Sequence, residues 1–495
     1  MFSSVVQTTI SPHDGSVVQE RTYPTSDELH QIITRAAAAQ KAWAKVPLAQ
    51  RIAIGHRFVD EWPTTGGLQV PAQLTKEMGR PISQGAGEAR GFLERAKYML
   101  SIAESSLTDV PLADTDKPGF RRFIQRVPLG VVLVIAPWNF PYLTSVNSVF
   151  PALLAGNAVL LKPSPQTPLS AEILAESLIH AGFPGDLIIP VHLSTQLTTQ
   201  AIQHPLVDFI SFTGSVPGGR AVEHAAVTAP GFKGVALELG GKDPAYVRAD
   251  ADLDYTVPEL VDGALFNSGQ SCCAVERIYV HQSIFDTFVS KFVDIVKGYK
   301  LGDPSVETTN LGPVVSVASA NRIRKQVHDA VAAGAKALVP SDLFPIAKPG
   351  SAYVAPQVLV DVDHSMDVMM VRSRLSFAFF LKPPHRKRAS ARLSVFKRQG
   401  VSSDEEAIKL MNHSPYGLTA SIWTNAAVNP ESEAAFLTLE DELQFGTVYL
   451  NRCDYLDPAL SWTGVKDSGR GVSLSKFGYD QLTRAKSVHM KIQTS

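Results

Sequence analysis

The chain has 495 residues, 45% hydrophobic and 19% charged. At roughly 100–200 residues per domain it has room for two or three packed cores, which excludes a small disulfide scaffold, a coiled coil or a disordered regulator. The 46 basic and 47 acidic residues nearly cancel, but Val371 to Gly400 holds nine Lys or Arg and no acid, leaving 37 basic against 47 acidic residues elsewhere.

A mildly acidic body carries no electrostatic footprint for nucleic acid, so no such partner is expected. No apolar run reaches the roughly 18–20 residues that span a bilayer, and the start MFSSVVQTTISPHDG has no basic n-region followed by an apolar stretch. A cytoplasmic protein without a membrane partner is the expectation. Cys272, Cys273 and Cys453 offer neither a disulfide framework nor a metal-ligand spacing, so no metal is expected and a reducing compartment fits.

In chain order, residues 26–107 read as mainly helical, with Thr25 or Ser26 capping a run that begins SDELHQIITRAAAAQKAWA. From residue 119 the pattern changes. FRRFIQRVPLGVVLVIAPW ends in a β-branched run suited to a buried strand, and Val159 to Leu161 supplies a second. Between Thr167-Pro168 and Gly182, apolar Leu169, Ile173, Leu174 and Leu178 predict a helix with Pro near its start and Gly past its end.

Leu187 to Val191, Asp208 to Phe212 and Val235 to Leu239 follow as short strands, which makes residues 120–240 a doubly wound nucleotide-type sheet. After Cys272 the alternation resumes with RIYVH as a strand, then SIFDTFVSKFVDIVKGY and NRIRKQVHDAVAAGAKAL as helices, so a second α/β domain is expected. RAKSVHMKI, near the end, alternates like a strand with no local partner and suits pairing with a distant segment or another subunit.

No G-x-G-x-x-G, H-E-x-x-H or G-x-S-x-G motif occurs. What stands out is a thiol among Gly and Ser in FNSGQSCC at 266–273, a carboxylate in LELGGKDP at 237–244, and IAPWNFP at 135–141. Each alone has a plain structural reading, as a buried cysteine, a turn glutamate and a packed strand exit.

In order along the chain, PWNFP, GNAVLLKPS, FTGS, LELGGKDP, GQSC, YGLTASIWT and DSGRG resemble the aldehyde dehydrogenase superfamily over almost the whole length. The resemblance implies an α/β subunit with two doubly wound parallel-sheet domains and a small β arm that joins subunits into homodimers or homotetramers. On that pattern 1–109 and 129–238 would form the nucleotide-binding domain and 110–128 with 485–495 the arm. Residues 239–447 would form the catalytic domain, and 448–484 a substrate-entrance loop and return segment.

It also implies NAD(P)-dependent oxidation of an aldehyde to an acid. A thiolate is the side chain best suited to attack a carbonyl at neutral pH, and the GQ-x-C spacing makes it Cys272 rather than Cys273. The resemblance gives the oxyanion to the Asn139 amide and the Cys272 backbone N–H, and the activation of water to Glu238. A water-activating Glu argues against a CoA-acylating variant.

For the cofactor, Lys162 would reach the adenosine ribose and Gly214 and Ser215 the pyrophosphate, with Trp138 and Ser164 completing the set. Relatives favouring NAD often carry an acid three residues after this Lys. Pro165 stands there instead, so NADP is expected to be accepted as well as NAD. At the substrate end, Arg452 is a candidate for meeting an acidic group, and Tyr142 and Trp462 suit an apolar aldehyde.

One segment departs from the family. Its E-x-F-G-P motif, whose Glu holds the nicotinamide ribose and whose Phe packs by the ring, is missing from VRSRLSFAFFLKPPHRKRASARLSVFKRQG at 371–400. A basic nucleic-acid or nuclear-targeting patch, a surface insertion, and a mistranslated intron or frame error are the readings. Abrupt edges and the replaced motif favour the last. The segment is expected to loop out and leave a gap at the nicotinamide, and the alternative to an active enzyme is a catalytically impaired relative with a binding or assembly role.

Overall fold

The structure, a computed structural model, describes residues 6–112, 117–370, 377–381 (backbone) and 400–493. A hairpin of Val6–Ile10 and Val17–Thr22 precedes the helices Ser26–Trp43, Leu48–Glu61, Gly66–Met78 and Ile82–Ser101. Thr25 caps the first of these. Its hydroxyl accepts from the Glu28 N–H at 3.2 Å while the Glu28 carboxylate accepts from the Thr25 N–H at 2.7 Å, a reciprocal pair that satisfies two otherwise orphaned donors.

The helices pack on a six-stranded sheet through an aromatic cluster that includes Trp62 and Phe92, stacked with ring centroids 4.2 Å apart. Phe92 is wholly buried, and truncating such a residue to Ala costs about 3–5 kcal/mol. In the sheet, Val131–Ile135 and Ala158–Lys162 are buried along their entire length, as strands covered on both faces must be. Val131–Ile135 pairs in parallel with Ala158–Lys162 on one side and with Val207–Gly214 on the other. The loops leaving these three strands therefore diverge at a topological switch point, where a doubly wound sheet leaves a crevice for its ligand.

At the sheet edge, Gly234–Leu239 takes an antiparallel partner from far along the chain, Gly469–Arg470, with Gly469 opposite Glu238. Gly469 has φ 115°, and a Cβ there would lie 1.9 Å from the Leu237 carbonyl oxygen. Only glycine lets the backbone approach this closely. This contact is what the DSGRG motif does in the fold.

A second sheet of seven strands runs in the order Lys336–Ala337, Gln357–Val362, Phe377–Leu381, Val275–Val280, Asp243–Val247, Thr419–Trp423 and Thr447–Leu450. The expectation that all of 371–400 would loop out is corrected here. Phe377–Leu381 pairs in parallel with Gln357–Val362 on one side and Val275–Val280 on the other, so the sheet is continuous. The reason lies in the sequence: FAFFL is uncharged, and the densest cations begin only at Lys382. Residues 371–376 and 382–399 lie outside the described residues, and the chain returns as a bridge between Val401 and His281.

The unpartnered C-terminal run finds a distant partner. Thr483–Lys491 pairs antiparallel with Phe120–Pro128 over nine residues, and Val110–Pro111 completes a three-stranded sheet. Among the described residues no helix is long and apolar enough to cross a membrane, and no cluster of His, Cys, Asp or Glu is placed to hold a metal.

Candidate active site

The loop before Cys272 is strained. Asn267 (φ 51°), Ser268 (φ 56°) and Gly269 (φ 71°) follow one another in the left-handed region, which costs about 1–3 kcal/mol for each non-glycine residue. The surroundings hold this turn: Arg80 Nε donates to Asn267 Oδ1 at 3.2 Å, Ser268 Oγ to the Gly312 carbonyl at 3.0 Å, and the Val315 N–H to Gln270 Oε1 at 2.8 Å.

The turn leads into two adjacent thiols in unlike surroundings. Cys272 is half-buried and faces open space, whereas Cys273 is 1% exposed and its Sγ donates to Asp454 Oδ1 at 3.0 Å. The neighbouring Cys272 and burial hold the Cys273 thiol well above the ordinary range, which keeps it protonated and a poor nucleophile. Ser271 Oγ donates to the same Asp454 oxygen at 2.5 Å, and burial raises the Asp454 carboxyl to about 6.

Asn139 arrives from the loop after Val131–Ile135. Its Nδ2 donates to the Gln270 carbonyl at 2.8 Å, leaving its second amide N–H for another acceptor. Its backbone carbonyl accepts from Arg80 and from Asn267 Nδ2, so one buried guanidinium braces the amide and the nucleophile loop together. Arg80 is itself ion-paired with Glu88, whose other oxygen accepts from the Tyr142 N–H at 2.8 Å.

Glu238 comes from the strand Gly234–Leu239, next to the edge pair Gly469–Arg470. Its carboxylate accepts from Ser473 Oγ at 2.5 Å and from Thr213 Oγ1 at 3.4 Å. Burial pushes its carboxyl up, offset in part by the Ser473 hydrogen bond and the Arg95 charge. A raised carboxyl suits a proton acceptor working near neutral pH.

Two cavities meet here. The larger, about 640 Å³, is walled on its apolar side by Phe140, Leu143, Phe266, Leu456 and Trp462. The smaller, about 180 Å³, lies at the sheet's switch point and is lined by Trp138, Asn139, Lys162, Ser164, Pro165 and Gly214. Cys272 and Glu238 line both. The sequence-predicted residues thus come together, with two corrections, at Tyr142 and Arg452.

Ser215 stands next to Gly214 of this wall, at the start of the following helix. It caps the helix Val216–Val227, its Oγ accepting from the Gly218 N–H at 3.2 Å. Tyr142 is wholly buried and absent from the larger cavity; its hydroxyl donates to Gln73 Oε1 at 3.0 Å, because Pro141–Leu154 turns that side chain toward the helical layer. Arg452 is exposed and stacks 3.5 Å over the Tyr455 ring instead of entering the cavity.

Sequence reasoning missed Arg80, Glu88 and Arg95. A signal was present, because Glu88, Phe92, Arg95 and Met99 share one helical face, and charges on a buried face need partners or ligands.

The smaller cavity suits a dinucleotide. Lys162 is 9% exposed, among the described residues its Nζ donates only to the Pro163 carbonyl at 3.1 Å, and desolvation lowers its ammonium to about 8. Glu238 is the one acid on this wall among the described residues, and a helix N-terminus stands beside Gly214. A buried cation and a helix N-terminus together favour a polyanion.

The sequence profile of the aldehyde dehydrogenase family matches residues 3–371 and 394–488. The interruption falls inside the basic segment. The chain is 34% identical over 482 residues to the succinate-semialdehyde dehydrogenase [NADP(+)] of Mycobacterium avium, covering 97% of this chain and 96% of that protein. Succinic semialdehyde dehydrogenase from Streptococcus pyogenes, solved with NADP+, superposes with TM-score 0.87 at 25% identity, covering 98% of this chain and all of the other. An NAD-dependent aldehyde dehydrogenase from Sinorhizobium meliloti gives TM-score 0.88 at 28% identity, covering 99% and 92%. The chain belongs to the aldehyde dehydrogenase family. It is an NAD(P)-dependent oxidoreductase of aldehydes, with NAD or NADP as its cofactor.

Proposed function

We propose that this chain oxidises an aldehyde to a carboxylic acid through a covalent intermediate on Cys272. The observation that carries the reading is that Cys272 and Glu238 line both cavities, one roomy and largely apolar, the other at the dinucleotide end of the sheet. Attack of the Cys272 thiolate on the carbonyl carbon gives a thiohemiacetal oxyanion. The unengaged N–H of Asn139 Nδ2 and the Cys272 backbone N–H stabilise it, each donor worth about 2.7–4 kcal/mol where measured in comparable sites.

NAD or NADP bound in the smaller cavity, held by Lys162, Trp138, Ser164 and the Gly214–Ser215 turn, supplies the hydride acceptor. Once the hydride has left, a thioester remains on Cys272. Glu238 takes a proton from water, the resulting hydroxide attacks the thioester carbon, and the acid leaves as the thiolate is regenerated. NADP use is favoured by Pro165, which puts no carboxylate where a 2′-phosphate would sit.

The subunit is read as the three-part assembly implied by the motifs. The sheet of Val110–Pro111, Phe120–Pro128 and Thr483–Lys491 serves as the arm that joins subunits into a dimer or tetramer, which light scattering would detect.

The direct test is substitution of each thiol. Cys272→Ala is expected to abolish aldehyde oxidation with either cofactor while Cys273→Ala retains it. Activity that survives the first change and is lost with the second would overturn the assignment.

A further inference from the structure

The N-terminal hairpin is built inside out. Along Val6–Ile10 the outward side carries Val6 and Ile10, 45% and 42% exposed, while Gln7 and Thr9 are 6% and 1% exposed on the inward side. A strand that buries polar side chains and leaves apolar ones in water gains little from the hydrophobic effect, and its buried groups cost free energy unless they are hydrogen-bonded. Here both converge on one atom. Thr9 Oγ1 donates to the Pro165 carbonyl at 2.7 Å, and Gln7 Nε2 donates to the same oxygen at 3.4 Å.

Pro165 lies on the loop that leaves Ala158–Lys162, and it lines the smaller cavity together with Lys162 and Ser164. The two parts of this wall are held differently. Lys162 is still in the sheet, paired with Ile135, and its carbonyl accepts from the Ala136 N–H at 2.9 Å. Beyond it, Pro163, Pro165 and Pro168 have no N–H to give. Within the turn the Thr167 N–H donates to the Ser164 carbonyl at 3.0 Å and the Gln166 N–H to Ser164 Oγ at 3.3 Å, and neither bond reaches the Pro165 carbonyl.

The hairpin supplies that tie, and the loop returns one: Gln166 Nε2 donates to the Ile10 carbonyl at 2.9 Å. From the hairpin's second strand, Arg21 holds Glu172 on the helix after the loop, Leu169–His180, through bonds of 2.7 and 2.8 Å. The polar face of the hairpin therefore acts on the one stretch of the cavity wall that the sheet leaves unsupported.

We propose that Thr9 and Gln7 are positioning residues for cofactor choice. By fixing the Pro165 carbonyl they hold the turn from Ser164 to Thr167 where it receives the 2′-phosphate of NADP, whereas Lys162, fixed by the sheet, serves the adenosine ribose of either dinucleotide. This role rests on the reading above that the 2′-phosphate meets this turn, and deepens it by naming what holds the turn in place.

The test uses the adenosine end alone, so that the nicotinamide end of the site plays no part. Calorimetry measures binding of adenosine 2′,5′-bisphosphate and of adenosine 5′-monophosphate to wild type, Thr9→Val, Thr9→Ser and Gln7→Leu. Thr9→Val, which deletes the donor at nearly constant shape, is expected to weaken the bisphosphate about tenfold and the monophosphate less than about twofold. Thr9→Ser keeps the hydroxyl and should stay within about twofold of wild type on both. Gln7→Leu, which deletes the longer bond, should cost the bisphosphate alone about threefold.

Equal weakening of both ligands would mean that the hairpin serves the fold only, and would overturn the proposal, as would an unchanged bisphosphate affinity in Thr9→Val. If Thr9→Val does not fold, Gln7→Leu decides by the same comparison. A wild type that binds the bisphosphate no more tightly than the monophosphate would instead overturn the NADP reading itself, and the hairpin's part in cofactor choice with it.

Discussion

Ser473 donates a hydrogen bond of 2.5 Å to Glu238, joining residues 235 positions apart. The bond stabilises the ionised carboxylate against the burial that raises it, so the C-terminal return segment sets how readily Glu238 gives up and regains a proton.

Removing that hydroxyl should therefore shift the pH profile. In Ser473→Ala the Glu238 carboxyl rises further, and its base form becomes populated only at higher pH. The rising limb of the steady-state rate is expected to move up by about one pH unit, with the largest loss below neutrality. A profile superimposable on wild type would remove Ser473 from this role.

Glu238 itself should act only after hydride loss. Glu238→Gln is expected to give a burst of reduced cofactor of near-stoichiometric amplitude, followed by turnover slowed about 10²–10⁴-fold. Stopped-flow absorbance of the nicotinamide separates the two phases. An unchanged steady-state rate would exclude the glutamate from water activation.

The buried Asp454 gives the fold a pH dependence. Its carboxyl is raised from 3.8 to about 6, so the folded state favours the protonated form. The stability this contributes is complete below the unfolded value and is lost as pH rises through the folded one. Asp454→Asn, which keeps an acceptor for Ser271 and Cys273, should gain on wild type as pH increases from 4.5 to 8, by at most about 3 kcal/mol. Urea denaturation at both pH values measures this, and a difference independent of pH would count against it.

The basic segment can be tested by exchange. Replacing 371–400 with a family-like stretch that keeps an apolar strand at the place of Phe377–Leu381 and restores E-x-F-G-P is expected to tighten NADP binding and speed oxidation of a simple aldehyde. Equal affinity and rate in the two proteins would show that the segment as it stands is tolerated.

Much of the fold was legible because its signals are local. Buried strands such as Val131–Ile135 and Ala158–Lys162 read as unbroken apolar runs, and the motifs around Asn139, Glu238 and Cys272 carry their turn chemistry within a few residues. Even the strand Phe377–Leu381 was visible as an uncharged run, obscured only by averaging it with the cations that follow.

Periodicity reports which face of an element is buried, but not what that face meets. The contacts of Ser473 with Glu238, of Arg80 with Asn139, and of Asp454 with Ser271 and Cys273 span 59 to 235 residues. They exist because separate sheets and helices pack against one another. The same packing turned Tyr142 away from the cavity and left Arg95 facing it, since a helical residue's surroundings are set by the neighbour it packs on and not by its own sequence.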